Sequence, residues 1–254
     1  MKRLEYIPLA LLGALAGFIV MQMNAAPLST HTATAAAAVT SDAGDLEPEE
    51  VPAIRSPVRV PAVTRHTDDV RTRLAVGAPG TYIDEILSSR DSSLARWPER
   101  TSNPLRVWVE SAPALTSWEP TFARHARDAF SEWAATGIPV RFTFVVNPAH
   151  AEIKVTWVDR FDEQISGKTH WARDDKWWIT DGSIQLALHH NDGHPLDAAA
   201  IRAIALHEVG HLLGLDHTRD ETNIMTPKVR VRDLSAADRS TIRLLYSLPA
   251  GSVR

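Results

Sequence analysis

His207-Glu208-Val209-Gly210-His211-Leu212-Leu213-Gly214-Leu215-Asp216-His217 is the most informative stretch of this chain. It follows Asp197, an acidic residue suited to cap a helix start, and a run rich in alanine and leucine. The run predicts a helix that carries His207 and His211 on one face, because residues four apart stack along a helix. Glu208 lies beside that face, turned slightly away. A third ligand on the same helix could not complete a tetrahedron, so the helix has to end. Gly214 supplies the stop, since glycine takes the left-handed conformation that reverses the chain. His217 can then swing back toward the first two imidazoles. Three neutral histidines leave a fourth position open, as in a catalytic rather than a structural zinc site.

With 11 histidines in the chain, a chance H-E-x-x-H arises in roughly two such chains per hundred; the added glycine and histidine reduce that to the order of one in ten thousand. The string is therefore read as a metal site, with His207, His211 and His217 as ligands and Glu208 as general base.

Upstream, Leu105 to Val109, Val140 to Val145, Ile153 to Trp157, Thr169 to Arg173 and Ser183 to Leu188 read as strands. Trp118 to Ala135 reads as a helix, with Phe122, Ala126, Ala129, Phe130 and Trp133 at helical spacing. Downstream, Ser235 to Tyr246 reads as a final helix. This order points to an α/β (α+β) domain, a sheet packed on helices.

The chain has 254 residues and a formal net charge of -4, which gives no basic surface for nucleic acid. It has no cysteine, so disulfides, thiolate ligands and a cysteine nucleophile are excluded. Lys2 and Arg3 precede an apolar run over residues 6–23. Residues 1–26 are read as a signal peptide or an N-terminal membrane anchor, and both readings imply export. The proline-, alanine- and acid-containing stretch 27–80 is read as a disordered linker. Residues 81–99 form a short helical pre-domain segment, either a strap packed on the domain or a pro-segment. The zinc domain is expected over 100–254; all eight tryptophans lie between Trp97 and Trp178.

The extended histidine string resembles the metzincin clan of zinc peptidases. Asn223-Ile224-Met225-Thr226-Pro227 matches the clan's methionine turn, and its Met-x-Pro pattern is most similar to the matrixins, the matrix-metalloproteinase-like branch. Leu234-Ser235-Ala236-Ala237-Asp238, with Ile242 and Leu244-Leu245-Tyr246, resembles the matrixin C-terminal helix, in which the carboxylate matching Asp238 braces the methionine turn. The resemblance implies a twisted, mostly parallel sheet with an antiparallel edge strand, packed on the active-site helix and two further helices. It implies one catalytic Zn²⁺ and a monomeric endopeptidase that hydrolyses an extended peptide by Glu-assisted attack of zinc-bound water. The alternative is a non-catalytic zinc-binding module that keeps the fold.

Three departures stand out. There is no cysteine for a propeptide latch. Asp159 to Lys168, the counterpart of the family's structural zinc and calcium loop, is short and lacks histidine, so neither a second zinc nor calcium is indicated. His170 and His189 are read as surface or packing residues. Pro227 stands where astacin-like relatives place a tyrosine ligand.

Overall fold

The structure, a computed structural model, describes residues 62–252. The segment 1–26 and residues 27–61 of the expected linker lie outside the described residues. The last part of that linker stretch is helical: α1 spans Ala62–Gly77. Its Val70 is buried, and its Arg73 Nη1 donates to Ser247 O at 2.8 Å. The composition of 27–80 is dominated by its proline-rich first part, which hides a helix with a few packing residues. No helix among the described residues is long and apolar enough to cross a membrane.

The pre-domain segment holds α2 (Ile83–Ser89) and the two-residue strand β1 (Ser93–Leu94). Strand β2 (Arg100–Val109) follows, then helix α3 (Pro120–Ala134), β3 (Val140–Phe144), β4 (Ile153–Val158), β5 (Gly167–Arg173) and β6 (Ile179–Ala187). The described residues end with α4 (Ala198–Leu212), α5 (Ala236–Ser247) and β7 (Gly251–Ser252), which pairs antiparallel with β1.

The main sheet has the order β3-β2-β4-β6-β5. Its first four strands are parallel, and β5 joins β6 antiparallel at the edge. This is the mostly parallel sheet with an antiparallel edge strand that the resemblance implies, accompanied among the described residues by five α-helices.

Alternation decides which way each strand faces. Leu105, Val107 and Val109 of β2 and Ile153, Val155 and Trp157 of β4 are all buried. In α3, Pro120 occupies the first turn, where its missing N–H costs nothing. The α3 stripe Phe122, Ala123, Ala126, Ala129, Phe130 and Trp133 is buried. Helix α4 is wedged between α3 and the β5–β6 end of the sheet, which explains why ten of its residues are buried rather than one stripe. Its start is capped by the Asp197 carboxylate, which accepts from Ala200 N at 2.6 Å.

Candidate active site

The C-terminal end of α4 brings the imidazoles together. After Leu213 the chain turns through Gly214, whose φ is +101°. Gly214 N donates to His211 O and Leu215 N to Gly210 O, both at 3.0 Å, the paired bonds of a Schellman motif. A side chain at Gly214 would also run into Ala95 O.

Two further carbonyls of the helix end find side-chain donors. Trp97 Nε1 donates to Leu212 O at 2.9 Å, and Tyr246 OH to Leu213 O at 3.1 Å. The last four carbonyls, which a helix cannot satisfy itself, are therefore all bonded.

His207 Nε2 and His211 Nε2 lie 3.0 Å apart, and His211 Nε2 and His217 Nε2 lie 3.2 Å apart. One ligand atom from each of the three residues falls within 4.8 Å of the others. Tetrahedral Zn–N bonds of ~2.0–2.1 Å require nitrogens about 3.3 Å apart, so the spacing fits that ion. His207 Nδ1 faces Ile224 O at 2.8 Å and His211 Nδ1 faces Leu215 O at 3.2 Å. An Nδ1–H donated to each carbonyl leaves the Nε2 lone pairs facing one another. Burial pushes His207 down to about 4, and burial plus the two neighbouring imidazoles pushes His211 well below its ordinary value. Both rings are thus neutral near pH 7, the form that binds a metal.

Glu208 is 5% exposed. Burial raises its carboxyl from 4.5 to about 7, opposed in part by a hydrogen bond from Thr169. The Thr169 hydroxyl donates to Glu208 Oε2 at 2.6 Å, and it also lies 3.0 Å from Glu208 O. Thr169 sits on β5, so the edge strand and the carboxylate are directly tied.

Met225 is fully buried beneath the helix, with its sulfur against Gly210. A Cβ on Gly210 would run into Met225 Sδ and crowd Trp133, so this position of the motif has no room for a side chain. The turn is held from α5. Asp238, itself fully buried, accepts from Ile224 N at 3.0 Å, Ser235 N at 2.8 Å and Tyr82 OH at 3.0 Å. Ser235 and Asp238 form a reciprocal capping box.

The structure thus brings His207, His211, His217 and Glu208 to one place. Among the described residues, this trio is the one group of His, Asp or Glu placed to share an ion. His170 is exposed on β5, and His189 pairs with Asp159 at 3.0 Å. The tryptophans near the edge strand each meet a guanidinium: Trp171 meets Arg90, Trp177 meets Arg173 and Trp178 meets Arg96, at 5.5, 3.7 and 4.7 Å. Sequence reading missed Thr169. Its one signal, a hydroxyl within an otherwise alternating strand, names no partner.

A mixed sheet with an antiparallel edge, a helix ending in two convergent histidines and a third histidine after a glycine turn define a metzincin-type domain. The matrixin profile matches residues 108–247, more than half of the chain, and the chain belongs to the matrixin family, a zinc-dependent family. Similar curated proteins include Metalloendoproteinase 1-MMP of Arabidopsis thaliana, 28% identical over 145 residues, 47% of this chain and 36% of the relative. Metalloendoproteinase 1 of Glycine max is 26% identical over 177 residues, 61% of this chain and 54% of the relative. Matrix metalloproteinase-C of Caenorhabditis elegans is 32% identical over 96 residues, 34% of this chain and 15% of the relative. The chain spans about half or less of the length of these relatives.

Proposed function

We propose that this protein is a zinc-dependent endopeptidase in which His207, His211 and His217 hold the ion and Glu208 is the general base. The observation that carries the reading is the buried Glu208 carboxylate, set on α4 one residue from a histidine of the convergent trio. A structural zinc site has no use for such a carboxylate. A bound zinc ion supplies Lewis acidity, polarising the peptide carbonyl and easing deprotonation of water.

The protein's own groups do the rest. Glu208 accepts a proton from the attacking water and delivers it to the leaving amine, so one carboxyl serves both transfers. Thr169 fixes the carboxylate orientation through its 2.6 Å bond. The carbonyls of Ile224 and Leu215 hold two of the imidazoles in the required tautomer. The substrate lies extended along β5, whose second edge pairs with no other described strand. Main-chain bonds there supply affinity that does not depend on sequence. Residues 1–26 direct export, as a cleaved signal or as an anchor.

The test is cleavage of a mixed peptide library by wild type and Glu208→Ala, with and without chelator. The reading expects cleavage by wild type alone, lost with chelator and reduced at least ~100-fold in the variant. Cleavage persisting in Glu208→Ala refutes the assigned base. A zinc-loaded wild type that cuts nothing supports a binding module instead.

A further inference from the structure

The loop carrying His217, residues 214–219, has no regular structure, and the His217 side chain is exposed. Exposure alone would leave the third imidazole free to wander, yet residues on both sides of it are fastened to one element, α2 with its C-terminal cap residue Arg90. Ahead of His217, Arg90 Nη1 donates to Gly214 O at 2.8 Å and Arg90 Nη2 to Leu215 O at 3.0 Å. Arg90 Nε also pairs with Asp216 Oδ2 at 3.3 Å, an oxygen that accepts from Ser89 Oγ at 2.7 Å. The other Asp216 oxygen accepts from His217 N at 2.8 Å. Beyond His217, Glu85 Oε1 accepts from Thr218 Oγ1 at 3.1 Å and Glu85 Oε2 from Arg219 N at 2.9 Å.

α2 is itself anchored. Ile83 and Ile86 are fully buried, and Tyr82 bonds both Thr241 and Asp238 of α5. The bonds from α2 reach the loop's backbone, Asp216 and Thr218, and leave the three Nε2 atoms to one another.

A rigid guanidinium fork that spans two carbonyls and a carboxylate fixes a loop in a way a point charge cannot. A ligand held in place before the metal arrives loses less freedom on binding it. We infer that α2 is a clamp that sets His217 for the metal, with Arg90 and Glu85 as positioning residues. Residues 82–97 are then a working part of the active protein, not a segment whose removal switches it on. The inference rests on the zinc reading above.

The test uses the full chain loaded with zinc, and measures the rate of release to excess chromogenic chelator beside peptidase activity. Arg90→Ala is expected to release zinc at least about tenfold faster than wild type and to lose activity, the scale typical of partners that orient metal ligands. Glu85→Ala and Ser89→Ala fall between, and Arg90→Lys recovers only part of the loss. Arg100→Ala breaks a comparable 2.6 Å ion pair with Glu152 outside the clamp and leaves the release rate at the wild-type value. Circular dichroism of each zinc-free variant separates lost folding from lost clamping. If Arg90→Ala does not fold, Ser89→Ala and Glu85→Gln carry the test. Wild-type release rates across the folded clamp variants, or activity that rises, overturn the clamp while leaving the zinc reading intact. A wild type that holds no zinc overturns both.

Discussion

Replacing Glu208 by glutamine separates two properties of the same carboxyl. Burial raises it from 4.5 in the unfolded chain to about 7 in the folded one. A group whose folded value is raised favours folding fully below 4.5, and that contribution is lost as pH rises toward 7. Above pH 7 the folded protein carries an ionised carboxylate in a site that disfavours it. A shift of this size corresponds to about 3 kcal/mol. Glutamine keeps the shape, still accepts from Thr169 and never ionises. Metal-free Glu208→Gln should therefore be more stable than wild type by up to about 3 kcal/mol at pH 8 and nearly equal to it at pH 4. Urea unfolding in excess chelator measures this. With m near ~2–3 kcal/mol/M, the midpoint moves up by about 1 M at pH 8. The gain appears in the variant that is expected to lose peptidase activity. A Glu208→Gln midpoint that exceeds wild type equally at both pH values, or at neither, would refute the burial argument.

Other perturbations probe the supports around the site. In metal-free Glu208→Gln, where the opposite contribution of the Glu208 carboxyl is absent, the fall of His207 from 6.5 to about 4 on folding means that the unfolded chain binds its proton first and should cost about 3 kcal/mol between pH 6.5 and pH 4; urea titrations of that variant across the range check it. Gly210→Ala should cost about 1–3 kcal/mol in thermal or urea unfolding, since its methyl meets Met225 and Trp133. Asp238→Ala strands the Ile224 and Ser235 amides and the Tyr82 hydroxyl, at about 1 kcal/mol each, so a loss near 3 kcal/mol is expected by the same assay.

Local spacing made the central helix legible. The i, i+4 histidines, the Asp197 cap and the Gly214 stop all act within a few residues, and the structure shows each of those local bonds or turns. What the sequence could not show depends on register between distant elements. Thr169 meets Glu208 only because β5 is antiparallel to β6 and placed over α4, and alternation within β5 does not say which face finds that helix. Arg90 lies 124 residues from Gly214, and in sequence it is one more arginine at the end of a short helix. Strand limits slipped for a related reason. β2 begins at Arg100, in a polar stretch without alternation, where its pairing with β3 shifts register before Leu105. β6 begins at Ile179, earlier than the alternating core suggests, because exposed Thr180 and Asp181 extend the hairpin with β5.

Trp97 and Tyr246 complete the α4 terminus and Arg90 holds the two carbonyls after it, so the turn before His217 is finished by residues on opposite sides of it in the chain. A ribosome-bound chain that has emerged only as far as His217 still lacks Tyr246, and lacks Asp238 under the methionine turn. Such a chain has the histidines without the frame that converges them. On the proposed activity, hydrolytic competence therefore comes with completion of the whole domain, and the architecture itself withholds cutting power from half-made copies that would be the first polypeptides within reach.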